Sequence, residues 1–229
     1  MPDSLRLSSD PALARFGFWH LGGLLSRDEA VELADLARWV CAEAPLARPA
    51  MKTGQPLRVR VTSLGDVGWW ADAAGGYRYV DRHPVTGRPW PKIPTALRLL
   101  GERALRAASA FGGDLPAQAV ADAFDTCLIN YYDADASLGW HQDLTEADRR
   151  TPIVNLSVGA PAAFDITLDE VEHRAILESG DAVVMAGQAR GARHRIEGLV
   201  EPGLFSQPSP LAAGRLSFTL RRARAMETR

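Results

Sequence analysis

His141 and Asp143 stand two positions apart, and a third candidate metal ligand, His194, follows only after a long intervening stretch. For the three to share one ion, the fold must return the chain to its starting point, which a double β-sheet does by placing distant strands side by side. Within a strand, side chains at i and i+2 project to one face, so His141 and Asp143 can reach one metal without a helix. Two imidazoles and one carboxylate leave the far side of the ion open. That suits ferrous iron admitting oxygen and a co-substrate, rather than a sealed structural zinc. Arg215 and Arg221 follow in one short run near the end of the chain. Paired guanidinium forks match a dicarboxylate in charge and shape. His20, His83 and His173 have no such partners and read as surface or core residues.

The rest of the pattern fits that architecture. Short apolar runs broken by turn residues predict strands over Phe124–Tyr132, Pro152–Gly159, Ala163–Leu168, His173–Leu177, Asp181–Ala186 and Arg215–Arg222, with Gly180-Asp181 as a tight turn. Such spacing argues for a jelly-roll double sheet. Upstream, Ser26-Arg27-Asp28-Glu29 has the form of a capping box. Val31, Leu33, Ala34, Ala37, Val40 and Cys41 recur behind it at helical spacing, predicting a helix over about 27–43 that Pro45 ends. A second helix is predicted from Pro94 or Thr95 to Phe111, with Leu97, Leu100, Ala104, Ala108 and Phe111 on one face and Gly112-Gly113 as its stop. Between the helices, Trp69, Trp70, Tyr77, Tyr79 and Trp90 sit among Gly and Pro, which suggests short strands and loops. Most of these aromatics are expected in the core, with one or two exposed as a base-stacking surface requires.

The expected fold class is α+β, mainly β. A double-stranded β-helix (jelly-roll) core over residues 116–229 would carry N-terminal helices and a lid over residues 1–115, as a single domain. At 229 residues and 46% hydrophobic, the chain can bury a sizeable core. No run approaches the ~18 apolar residues of a membrane span, so no membrane partner is expected. The two cysteines, Cys41 and Cys127, form no CxxC pair, which fits a reducing cytoplasm. A net charge of −2 gives no overall support for a polyanion partner. Arg48, Lys52, Arg58 and Arg60 nonetheless form a basic stretch, either a phosphate-binding surface or a solvated arginine-rich face.

The run Leu128-Ile129-Asn130-Tyr131-Tyr132, then His141-Gln142-Asp143, Pro152-Ile153-Val154, His194 and Arg215-Leu-Ser-Phe-Thr-Leu-Arg221, resembles the AlkB family of Fe(II)/2-oxoglutarate dioxygenases. The segment from Thr62 to Trp69 resembles that family's nucleotide-recognition lid, and Gly76-Tyr77-Arg78-Tyr79 and Arg88-Pro89-Trp90-Pro91 extend the match. The resemblance implies that His141, Asp143 and His194 hold Fe(II). It implies that Arg215, helped by Tyr132, pairs with the distal carboxylate of 2-oxoglutarate, and that Arg221 engages the carboxylate beside the keto group with Asn130 nearby. Trp69 and His141 would sandwich a target base, with Tyr77 and Tyr79 in the lid and Thr145 beside the base. The implied activity is oxidative dealkylation, with O2, of 1-methyladenine, 3-methylcytosine or etheno adducts in alkylated DNA, single-stranded, or RNA, by a monomer.

This sequence departs from the family pattern in three places. Thr145 replaces an acidic residue that can face a cationic base, although Glu146 and Asp148 follow it. Ser217 stands where Asn is common between the two arginines. Asp165, Asp169, Glu170 and Glu172 make one segment acidic and poorly suited to tracking phosphates. The competing readings keep the chemistry on a tRNA, protein or small-molecule substrate, or keep only the fold as a non-catalytic binding module.

Overall fold

The computed structural model describes residues 5–112, 115, 124–202 and 209–225. In chain order the strands are β1 (Arg6–Leu7), β2 (Phe18–Gly22), β3 (Arg60–Gly65), β4 (Gly68–Asp72), β5 (Gly76–Val80), β6 (Thr126–Tyr132), β7 (Leu138–His141), β8 (Ile153–Gly159), β9 (Ala162–Leu168), β10 (Val171–Leu177), β11 (Ala182–Met185), β12 (His194–Leu199) and β13 (Arg215–Arg221). The helices are α1 (Arg27–Glu43) and α2 (Thr95–Ala110). Seven strands form one sheet in the order β1-β2-β11-β8-β13-β6-β3, and four form a second in the order β10-β9-β12-β7. β4 and β5 stand apart as a hairpin. The fold is the expected jelly roll, mainly β. No described helix is long and apolar enough to cross a membrane.

A period of two in the larger sheet separates its two faces. On β13, Leu216, Phe218 and Leu220 pack into the cluster that contains the buried faces of α1 and α2. Arg215, Ser217, Thr219 and Arg221 point the other way and line a cavity between the sheets. β6 and β8 repeat this, with Cys127, Ile129, Val154, Leu156 and Val158 toward the helices and Leu128, Asn130, Tyr132 and Asn155 toward the cavity. Fully burying a Leu or Phe side chain stabilises by about 1.5–3 kcal/mol. Three on β13 therefore offset the several kcal/mol that burying a guanidinium costs. The apolar layer behind the sheet permits a charged strand in front.

Ser26 caps α1 as expected. Its hydroxyl accepts from the Glu29 amide at 3.2 Å, and the Glu29 carboxylate accepts from the Ser26 amide at 2.8 Å. Glu29 also receives Arg103 of α2 at 2.7 Å, which ties the helices together. The buried face of α1 is Ala30, Leu33, Ala34, Ala37 and Val40. Val31 is 40% exposed and Cys41 half-buried, because the stripe turns toward the sheet at Ala30 instead. α2 approaches the sheet closely at Gly101, where a Cβ would lie 2.6 Å from Leu220 Cδ1.

Three further expectations need correction. The N-terminal part is not a helical layer alone, since β1, β2 and β3 extend the main sheet. β2 reads FWHLG, apolar on both faces, and lacks the alternation that marks a half-buried strand. The strand expected from Phe124 begins at Thr126, and Phe124 packs instead beneath α2. Among the aromatics between the helices only Trp90 is buried, at 4% exposed. Trp69, Trp70 and Tyr79 are half-buried and Tyr77 is 44% exposed, because the β4–β5 hairpin lies outside both sheets. Of the remaining histidines, His20 and His83 are core residues. His20 Nε2 meets Asp181 at 2.7 Å and His83 Nε2 donates to the Pro45 carbonyl at 2.9 Å. Gly113 lies outside the described residues.

Candidate active site

His141 ends β7 and His194 begins β12, and the two are paired in the register of the smaller sheet. Their ring centroids are 4.3 Å apart. Each Nδ1–H donates to a backbone carbonyl two residues upstream, His141 to Gly139 at 2.9 Å and His194 to Ala192 at 3.0 Å. Those bonds fix both tautomers and turn Nε2, the ligand atom, toward the cavity. Burial pushes the His194 imidazole down to about 4, so it is neutral and ready to ligate at neutral pH.

Asp143 lies beyond the end of β7, so strand alternation does not deliver it. The strand ends at His141, and Arg190 Nη1 donates to the Asp143 carbonyl oxygen at 2.8 Å. Its carboxylate then comes within 3.7 Å of His194 Nε2. Ligand atoms of His141, Asp143 and His194 all lie within 4.8 Å of one another. Asp143 Oδ2 is buried and makes no hydrogen bond, although Arg221 Nη2 is 2.9 Å away. Burial opposes the charge on Asp143, but Arg221, His194 and His141 outweigh it and hold the carboxyl at about 2. A buried anionic oxygen without a directional partner, beside two free imidazole nitrogens, fits a divalent cation.

Arg215 is fully buried at the other end of β13. It donates to Ser157 Oγ at 2.7 Å and to the Leu177 carbonyl at 3.2 Å, and its Nε has no partner. Among the described residues no carboxylate pairs with it. Burial pushes its pKa down to about 10, so it remains charged at neutral pH. Tyr132, also buried, faces it in register, and burial raises that phenol to about 12. A fixed, dry cation beside a hydroxyl suits an incoming carboxylate. Asn130 faces Ser217 in register, whereas Arg221 faces Thr126. Ser217 Oγ accepts from Asn155 at 2.6 Å, and Asn155 also donates to Thr219 at 2.9 Å.

Arg221 is held differently. It is ion-paired with Asp143 and donates to Glu146 Oε1 at 3.0 Å. Burial opposes its charge, yet Asp143, Tyr79 and Glu146 raise its pKa above the ordinary arginine value. Glu146 is 3% exposed and accepts from Tyr79 at 2.5 Å and from Arg190 at 3.2 Å. Tyr79 therefore serves this cluster and does not line the cavity, whereas Trp69, Tyr77 and Thr145 do. The Trp69 and Tyr77 rings stack with centroids 5.7 Å apart. Glu146 and Arg190 carry more of the site than their sequence positions suggest. In the sequence Glu146 only follows Thr145 as one of two nearby acids, and Arg190 carries no motif. Only the tertiary fold buries them together.

Comparison with known proteins agrees with this geometry. The 2OG-Fe(II) oxygenase superfamily model matches residues 17–221. The alpha-ketoglutarate-dependent dioxygenase AlkB homolog of Caulobacter vibrioides is 36% identical over 96% of this chain and 94% of its own. The chain belongs to the AlkB dioxygenases of this superfamily. The family's chemistry uses Fe(II), 2-oxoglutarate and O2, and His141, Asp143 and His194 are placed to bind the metal. The DNA N(6)-methyladenine demethylase ALKBH1D of Arabidopsis thaliana is 27% identical over 96% of this chain and 52% of its own length. The structure of OsALKBH1 superposes with a TM-score of 0.73 at 25% identity, covering 91% of this chain and 99% of that one.

Proposed function

We propose that this dioxygenase removes alkyl groups from ring nitrogens of damaged nucleic-acid bases, on single-stranded DNA or RNA. The observation that carries the proposal is the composition of one cavity. The open His141–Asp143–His194 set, the carboxylate-seeking Arg215 and the Trp69–Tyr77 pair all line it. An unstacked base needs an aromatic platform, and an oxygenase needs its oxidant close to the bound group. The demethylase named among the relatives acts on a methylated DNA base, which supports the same substrate class here.

Bound at His141, Asp143 and His194, Fe(II) with 2-oxoglutarate and O2 supplies the oxidation of an N-alkyl carbon to an aldehyde. The chain's own residues do the rest. The Nδ1 bonds of both histidines keep Nε2 aimed inward. Arg215, with Ser157 and Tyr132, holds the distal carboxylate of 2-oxoglutarate, and Arg221 meets the carboxylate beside the keto group while still bound to Glu146. Leu57, Val59, Phe164 and Met185 line the cavity and exclude water from the reacting carbon. Trp69 and Tyr77 retain the base. A base made cationic by alkylation gains further from their π faces.

Lesion choice follows from which charges face the cavity. Thr145 lines it, but Glu146 and Asp148 do not. Glu146 is committed to Tyr79, Arg190 and Arg221, and Asp148 accepts from the Arg150 and Thr151 amides and the Thr151 hydroxyl. Neither carboxylate compensates for Thr145. Neutral etheno adducts therefore compete better here than in a site with a free acid beside the base.

The test is mass spectrometry of short single-stranded oligonucleotides carrying 1-methyladenine, 3-methylcytosine or an etheno base. Each is incubated with Fe(II), 2-oxoglutarate and O2, using wild type and His141→Ala. Loss of lesion mass with wild type alone is the expected result. Decay of 2-oxoglutarate to succinate with every base intact would move the substrate to tRNA, protein or a small molecule.

A further inference from the structure

The carboxylate of Glu146 joins side chains from three separate parts of the chain, Tyr79, Arg190 and Arg221. Its Oε1 accepts from Tyr79 of β5 at 2.5 Å and from Arg221 of β13 at 3.0 Å. Its Oε2 receives Arg190 at 3.2 Å, and Arg190 also donates to the Asp143 carbonyl at 2.8 Å. Both ends of Asp143 are thus governed from Glu146, the backbone through Arg190 and the carboxylate through Arg221. Arg221 offers Nη1 to Glu146 with good geometry but meets Asp143 Oδ2 at 2.9 Å without a hydrogen bond. One arginine between two buried carboxylates points an Nη1–H at the one that is not a metal ligand, while its Nη2 lies against the ligand outside hydrogen-bond geometry. Asp143 Oδ2 therefore keeps its lone pairs for a cation. Were Glu146 neutral, the full charge of Arg221 would fall on Asp143 and compete with the metal.

We propose that Glu146 is a positioning residue that keeps Asp143 available to the metal and latches the β4–β5 hairpin, with Trp69 and Tyr77, to the same point through Tyr79. This rests on the assignment of His141, Asp143 and His194 as the metal site. The phenol of Tyr79 is the hairpin's hydrogen bond to this cluster, and Trp69 and Tyr77 sit on the same two strands. Metal site and base platform share one buried anion.

The test uses Co(II) as the probe, titrated into metal-free full-length protein and followed by its visible ligand-field absorption, without substrate or turnover. In Glu146→Gln, Co(II) affinity should fall by about tenfold or more, with an altered spectrum. Amide hydrogen exchange across residues 68–80 should speed up in the same variant. In Tyr79→Phe the exchange should speed up by about tenfold, the loss expected for one hydrogen bond to a charged group. A folded Glu146→Gln protein with wild-type Co(II) affinity and spectrum would overturn the proposal, since purely structural support lowers melting temperature and leaves the metal centre alone. Should Glu146→Gln fail to fold, unchanged exchange in Tyr79→Phe overturns the latch by itself. Wild-type protein that binds Co(II) no better than His141→Ala would instead remove the metal assignment beneath both.

Discussion

Arg215 and Arg221 begin and end the same strand, both are buried, and both face the cavity. Arg215 has no carboxylate in ion-pair contact among the described residues, only the more distant Asp181, and is held by a hydroxyl and a carbonyl with Nε unpartnered. Arg221 sits among Asp143, Glu146 and the Tyr79 phenol. Burial dominates the first, lowering its pKa to about 10, while neighbouring anions overcome burial at the second and raise it. A buried charge without a counter-charge is destabilising and needs another reason to be kept, whereas one inside a compensated network is part of the fold. The Arg215 end of the cavity is therefore built to receive an anion. The opposite end is built to hold its own.

The largest test of that contrast is Arg221→Met. It leaves Asp143 and Glu146 buried with only Arg190 to balance them. Breaking such a network costs about 3–5 kcal/mol, which corresponds to a drop of roughly 10 °C in a domain of this size. Thermal unfolding of the metal-free protein measures it. Arg215→Met should behave oppositely in the same assay, holding or raising the melting temperature, because a buried charge is exchanged for an apolar side chain of similar reach. Its 2-oxoglutarate affinity, by calorimetry, should fall by about two orders of magnitude. If both variants lose equal stability, the two ends are not different in kind and the contrast fails.

Much of this was readable in the sequence, for identifiable reasons. Arg215 and Arg221 lie on one strand with apolar residues between them, so period-two alternation alone puts both on the polar face. The capping box placed the start of α1 because its signal is local. β2 was hidden by having two buried faces and therefore no alternation. The end of β7 before Asp143 was hidden because the Arg190 that holds the Asp143 carbonyl lies far along the chain. The divergent states of the two arginines were not legible at all. They arise from Glu146 and Tyr79, which reach Arg221 only through tertiary packing, and nothing in the spacing of acids marks Glu146 as buried.

The smallest effect, and the sharpest probe of the Arg221 end, is Thr145→Asp. Position 145 lines the cavity and is half-buried, unlike its buried neighbour Glu146. A carboxylate there would be the first acid at this end not already balanced by an arginine. Two unit charges about 4 Å apart interact by about 4 kcal/mol at an effective dielectric of 20. Solvent at a half-exposed position reduces this to ~1–1.5 kcal/mol, or about tenfold in rate. The variant should raise the ratio of kcat/KM for 1-methyladenine to that for a neutral etheno base by about this factor. The melting temperature should stay near wild type, because the new charge remains hydrated. An unchanged ratio would mean that a base bound by Trp69 and Tyr77 lies beyond the reach of position 145. A large loss of stability would mean instead that the new carboxylate had competed with Glu146 for Arg221, making this end as sensitive to an added charge as to the loss of Arg221.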